Sequence, residues 1–463
     1  MKNNRGSTSM LVLVLGVTIS IAITGLVLLT AVMFTSQSRT ESFEQSLSIA
    51  QAGAEYYRWH LNHDLSDYTD GTGLPGPYIH EIKDPFGNTD GYFRLTVIAP
   101  EAGSSVVTVK SEGWLSKRPD IIRTVTMKYG IGSFAKFSFF NNSNMWFGNR
   151  TEIHGPVFSN GGIRMDGVHD STIESAKSTY LCGTETGCEP SQNKPGIWGE
   201  GGTPALWKFP STTIDYNSIG LDFSAMKQTA IENGIYLPPS TDYGYHVIFS
   251  ADGTFQVNKV TNAGSEKGWS VEGGCETTYQ IIKKEEPVGN YQVSDKKIIF
   301  SENTLWVEGQ FQGQMTVTAA RFPLDINAIN IWLPNSITYV AKDGTNNLGI
   351  IAQNDIIFAL DIPNTLEINA ALLAYKGKVL RHNYKYDGCK NASGAVKQQL
   401  IIYGSIVSNL KSYWSYGTGS GFDDGPTSGF MQRDIIYDSN LYYDPPPFFP
   451  TSGTYDIISW QEE

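Results

Sequence analysis

The chain has 463 residues, 40% of them hydrophobic, 12% aromatic and 17% charged, with a net charge of −12. That length supports two or three domains, and 47 Gly with so many aromatics point to a β-rich chain with many turns. The acidity, with no basic run anywhere, excludes a nucleic-acid partner, which needs clustered Lys and Arg.

Residues 10–34 are apolar, and no charge falls between Arg5 and Arg39. A helix of that length spans roughly 37 Å, enough for the roughly 30 Å bilayer core. A cleavable secretory signal would be shorter and would end at an A-x-A site, which is missing here. Lys2 and Arg5 keep the N-terminus cytoplasmic, so the rest is exported from a single-pass inner-membrane anchor. Beyond the apolar run, Phe43, Leu47, Ala50, Ala54, Tyr57 and Leu61 recur at helical spacing among polar residues. The pattern predicts one stem helix over 7–61, membrane-spanning at 10–34 and amphipathic afterwards.

A polar loop over 64–90 comes next. Strands are expected at 92–99, 105–111 and 121–129, separated by Pro and Gly. They would form a small antiparallel sheet covering the amphipathic half of the helix, a head over 62–133. From about residue 134 five short segments share small or polar residues around an apolar position: 155–160, 309–314, 349–354, 370–375 and 404–409. Such punctuation suits stacked parallel strands, whose inward Val, Ile and Leu lie under the next coil. The starts lie 154, 40, 21 and 34 residues apart. The expectation is therefore an α+β head followed by a mainly β domain over 134–463. That domain reads as a distorted, right-handed parallel β-helix-like solenoid with an insertion at about 170–300, or as a sandwich imitating one.

The N-terminus reads Asn4-Arg5-Gly6-Ser7 and then the apolar run. A basic residue, Gly and an uncharged helix resemble the type III signal of prepilins. The resemblance implies a leader over 1–6, cleavage by a prepilin peptidase between Gly6 and Ser7, and N-methylation of Ser7. Most pilins carry Glu at the fifth mature position, which here is Leu11. That departure, the segments 153–163, 305–317, 348–358, 366–379 and 400–409, and the Pro-rich close near 445–449 resemble PilX-type pilus assembly proteins. The large K-type pseudopilin of type II secretion also lacks the Glu. The resemblance implies a minor subunit that assembles, primes or caps a type IV pilus or related fibre, with other pilin-like subunits as partners through the stem.

Other chemistry is thinner. Cys182 and Cys188 bracket a Gly-bounded loop that could close as a disulfide; Cys275 and Cys389 could also pair. Neither fits a zinc spacing. Asp64, Asp67 and Asp70 could gather calcium or simply form a polar turn, and their spacing is not that of an EF-type loop. His60 and His63 read as a solvated helix end. Asp423 and Asp424 read as a solvated loop, and Asp355 and Asp361 as turn residues. There is no Gly-x-Ser-x-Gly elbow and no phosphate loop, so no catalytic residue, cofactor or metal is expected. Two rival readings stay open: a surface adhesin binding a glycan or host surface, and a polysaccharide-acting β-helix enzyme.

Overall fold

The structure is a computed structural model. It describes residues 5–100, 105–216, 222–417, 425–442 and 444–463; for 5–9 and 452–453 it describes the backbone alone. The chain divides into two compact units, one of which joins Thr454–Glu463 to the N-terminal helix and its sheet.

Helix α1 (Arg5–His63) is continuous over 59 residues. Its first half exposes a sleeve of Leu, Val and Ile and is long and apolar enough to cross a membrane. The second half buries Ser42, Ser46, Ile49, Ala50, Gly53, Ala54, Tyr57 and Leu61. This stripe is rotated from the expected one, since Phe43 and Leu47 are only half-buried. The reason is close approach. Gly113 lies so near the helix that a Cβ there would sit 2.4 Å from Ala50 N and 2.5 Å from Ser46 O. Small residues must therefore face the sheet. Phe43 instead lies under the guanidinium groups of Arg39 and Arg123, at 5.8 and 5.3 Å.

The sheet is an antiparallel meander of β1 (Tyr78–Lys83), β2 (Thr89–Ile98), β3 (Val107–Leu115) and β4 (Arg118–Ser133). The sequence reading has three of these strands and leaves 64–90 as a loop. β1 escapes it because no residue of that strand is fully buried, so it carries little apolar alternation. The expectation that 134–463 form one exported domain is also corrected. The C-terminal strand Thr451–Glu462 pairs with the free edge of β4. Glu463 N donates to Thr124 O at 3.1 Å, the Glu463 carboxylate meets Lys110 at 2.9 Å, and Glu462 pairs with Arg123. Buried Tyr455 donates its amide to Asn62 Oδ1 at 2.7 Å. An uncovered edge exposes a row of unpaired backbone groups, and this strand satisfies them.

The second unit, Ile131–Gly453 within its described residues, is mainly β, and its strands pair in parallel as stacked ladders. One ladder aligns Ile235, Ile299, Val317, Ile350, Leu372, Ile406, Phe139, Val157, Ile173 and Trp207. A second aligns Phe249, Gly309, Ile337, Ile368, Ile402, Ile435, Ile153 and His169. A third runs Tyr245, Leu305, Ile331, Ile356 and Val379, and a separate sheet aligns Met145, Ile163 and Ile197. The inward residues form one continuous core.

The order in space is not the order in sequence. Ile406 is followed in its ladder by Phe139, and Ile435 by Ile153. The chain thus joins the stack at residue 139 and climbs to one end at residue 208. It returns to the other end at residue 235 and winds back to where it began. The return, including α2 (Phe223–Glu232), covers the outside of the first ladder. Tyr216, Phe223, Met226 and Ala230 pack there with Phe140, Phe300, Ile351 and Val407. The expected insertion at 170–300 is therefore partly ladder. The long hairpin Thr254–Ser270 and Gly274–Gln292 and the short one Thr179–Cys182 and Gln192–Pro195 depart from the parallel ladders.

The close packing of α1 is testable. Gly113→Val must displace backbone rather than a side-chain tip, and is expected to cost the stem-and-sheet unit about 1–3 kcal/mol. Hydrogen exchange over 107–115 measures this; unchanged protection would refute the close approach.

Candidate functional site: a cleft at the break in the third ladder

Where the third ladder ends at Val379, Leu380 meets Tyr413 through an isolated bridge, and the separate sheet begins at Met145. A cleft of about 1090 Å³ opens at this break. Both disulfides tie segments that line it. Cys182 and Cys188 are bonded, and Thr184, Glu185 and Gly187 between them line the cleft. Arg164 holds this loop in place. It donates to Asp166 at 2.7 Å and to the carbonyls of Thr186 and Gly187 at 3.3 and 3.4 Å. Its guanidinium is sandwiched between Trp146 and Trp198, at 4.3 and 4.8 Å. Gly187 has φ +82°, and a Cβ there would meet Arg164 Nη1 at 2.3 Å, so only glycine closes the loop this tightly.

The opposite wall is the tip of the long hairpin. Cys275 is bonded to Cys389. Trp269 exchanges two backbone hydrogen bonds with Asn383, at 3.0 and 2.9 Å, and Glu272 pairs with buried Lys378. Deeper in, buried Gln280 accepts from Leu360 N at 2.6 Å and Tyr384 OH at 3.2 Å. A projecting hairpin is marginal alone; here it is stapled and hydrogen-bonded to the stack.

Aromatic rings run along the cleft in sequence of contact. Tyr386 stacks on Trp269 at 4.4 Å with planes 4° apart. Trp269 meets Tyr416 edge-on at 6.1 Å, and Tyr416 stacks on Tyr413 at 6.3 Å. Lys411 continues the line, its ammonium 4.8 Å from the Tyr413 ring and 5.8 Å from Trp146. Burial pulls the Lys411 ammonium down to about 7, with Glu185 and Glu272 opposing the shift. The ionisable lining is balanced: Glu185, Glu189 and Asp387 against Lys385, Lys411 and Arg433. Arg433 is engaged with Thr151, Ser415 and Phe430 O at 2.9–3.0 Å.

The residues singled out by sequence lie elsewhere, apart from the cysteines. Gly6 and Ser7 fall in the first turn of α1, and Leu11 is exposed on its apolar sleeve. Asp67 accepts from the amide and hydroxyl of Thr69 at 2.8 and 2.7 Å, and meets His60 at 2.9 Å. Those hydrogen bonds hold its carboxyl down at about 2. Asp70 meets His80 at 2.7 Å and Asp64 caps Ser66, so this turn is occupied by its own donors. His63 faces the Trp59 carbonyl at 2.8 Å. Among the described residues no group of three or more His, Cys, Asp or Glu could hold a metal. Asp355 accepts the Lys378 amide at 2.9 Å in a turn. Asp423 and Asp424 lie outside the described residues. The cleft was missed although Tyr413-Trp414-Ser415-Tyr416 is a visible aromatic cluster, because its partners come from residues 146, 269 and 386.

These features define a class: a single apolar helix long enough to span a membrane, sheathed in its second half by a small sheet and joined to a large mainly β domain. No protein-family model matches the chain, and no curated protein does. Among solved structures it is similar to the competence-associated pilin ComZ from Thermus thermophilus, at 13% identity and a TM-score of 0.33, over 91% of this chain and 98% of that one. A likeness at that score does not establish a common fold.

Two predictions follow from the walls and floor. Loop entropy makes the Cys275–Cys389 link, 114 residues apart, worth about 4–5 kcal/mol, and the 6-residue Cys182–Cys188 link about 2 kcal/mol. Denaturant titration of C275S/C389S and C182S/C188S should show that order; equal losses would contradict it. The Lys411 ammonium titrates near 7 when folded and near its ordinary value of about 10.4 when unfolded. The unfolded chain therefore binds more protons between about pH 7 and 10, and stability rises with pH across that window. Lys411→Met should remove that rise and add about 1–3 kcal/mol near neutral pH. An identical pH slope in both proteins would mean the ammonium is solvated.

Proposed function

We propose that the chain is a minor pilin-like subunit that takes part in assembling, priming or capping a type IV pilus or a related fibre. The observation that carries this reading is α1 itself. One 59-residue helix presents a bare apolar half and buries the other half under its own sheet. The bare half would hold the subunit in the inner membrane before assembly, N-terminus inside, and pack among other pilin-like stems afterwards. Leu11 puts no carboxylate into that packed core, so no partner amine is required there. The role is structural rather than catalytic.

The domain scheme follows: leader 1–6, stem 7–61, head 62–133 completed by the C-terminal strand, and an exported domain. We read the stacked ladders of that domain as a parallel β-helix, right-handed as parallel crossovers almost always are. Its size favours a place at the fibre tip or in the priming complex; regular spacing along the shaft in labelled fibres would exclude that place.

The test is intact-mass spectrometry of the full chain expressed with and without a prepilin peptidase. The expected mature chain starts at Ser7, N-methylated, only when the peptidase is present. Retention of residues 1–6 in both cases would leave a plain signal-anchored surface protein.

A further inference from the structure

We propose that the disulfide-walled cleft binds a neutral oligosaccharide. The inference stands on the cleft alone and holds whether or not the chain joins a fibre.

Three observations select this ligand. The first is the aromatic line Tyr386–Trp269–Tyr416–Tyr413, each ring in contact with the next. Tyr386 is 41% exposed and Trp269 and Tyr413 are half-buried, so the line offers ring surface to an occupant. A sugar ring presents a flat face of C–H groups, and the negative face of an aromatic ring attracts such positively polarised hydrogens. The second is charge. Three carboxylates line the cleft beside three basic side chains, so no cationic field favours a polyanion. A polyanion such as nucleic acid needs a cationic groove, and an aliphatic ligand would leave these polar groups without partners. Hydroxyl groups, which both donate and accept, suit a lining that mixes Glu185, Asn383, Ser412 and Lys411. The third is size and rigidity. About 1090 Å³ lies just above the roughly 300–1,000 Å³ range of small-molecule sites, room for several linked sugars rather than one. The two projecting walls are each fixed to the stack, by disulfides, by Arg164 and by the Trp269–Asn383 pair. Such pre-organisation lowers the entropic cost of binding.

Trp269 and Trp146 also make the site observable, since a sugar stacked on the line alters tryptophan emission. The experiment uses the full chain in nanodiscs, titrated with hexasaccharides of glucose (β-1,4 and α-1,4), N-acetylglucosamine and mannose. Heparin and double-stranded DNA serve as charged probes. Tryptophan emission and calorimetry are followed together. The expected result is saturable binding of at least one neutral hexasaccharide, weakened roughly tenfold by Tyr386→Ala and little affected by salt. Tyr386→Phe, which keeps the ring, should retain binding, and wild-type melting of both variants would separate loss of contact from loss of fold. Reduction of the disulfides should also weaken binding. The proposal is overturned if none of the neutral sugars binds. It is also overturned if binding survives Tyr386→Ala unchanged, or if the charged probes bind more tightly than the sugars.

Discussion

Side chains stacked directly above one another, rung after rung, are what the larger unit depends on. In parallel pairing each residue sits over its counterpart at roughly 4.8 Å, so an inward position in the middle rungs must be apolar or the column opens. The second ladder obeys this with five consecutive isoleucines, Ile337, Ile368, Ile402, Ile435 and Ile153, all essentially buried. Each contributes roughly 1.5–3 kcal/mol of burial, and branched side chains fit this pleated stack. Column order matters more than chain order. Nothing in the packing requires Ile153 to come before Ile435 in sequence, so the chain can begin and end its winding in the middle.

That freedom sets what the sequence could reveal. The recurring small–apolar segments are genuine rung positions: Gly349, Ala371 and Ser405 lie over one another, with Leu372, Ile406, Phe139 and Val157 aligned beside them. The interval of 154 residues between the first segment and the second resists any repeat period because it contains the passage from one end of the stack to the other. Periodicity along the chain records neighbours in sequence, and here the neighbours of residue 157 are residues 139 and 173. The helix, by contrast, was legible throughout, because apolar length and 3.6-residue spacing are local properties. Its buried face shifted by one position because a glycine more than 60 residues away, Gly113 against Ser46 and Ala50, decides how near the sheet can come. The C-terminal strand was illegible for the same reason as the stack: its partner, β4, lies more than 300 residues earlier.

The stem-and-sheet unit faces the same problem twice. A sheet with a free edge and a helix with a free apolar face both invite association. The C-terminal strand pairs with β4 and becomes an edge itself, with β1 at the other edge, while the first half of α1 stays a large apolar surface.

The cleft follows from the break in winding. A closed stack of ladders is uniform and offers little concavity, but where the chain's two windings meet, the third ladder lacks a continuous rung between Val379 and Met145. Aromatic side chains can be held there half-buried, and so can Lys411, a lysine whose burial is costly. Its ammonium is accommodated by ring faces rather than by a carboxylate, a weaker arrangement than a paired charge. A structural core would replace it by methionine at a gain. Its position on the floor of the one cleft framed by both disulfides ties that cost to the cleft's polar interior. The hairpin, the two disulfides and the Arg164 sandwich all reinforce the same break. Reinforcement concentrated where the repeat is interrupted, rather than at the ends of the stack, is what a rigid recognition site needs.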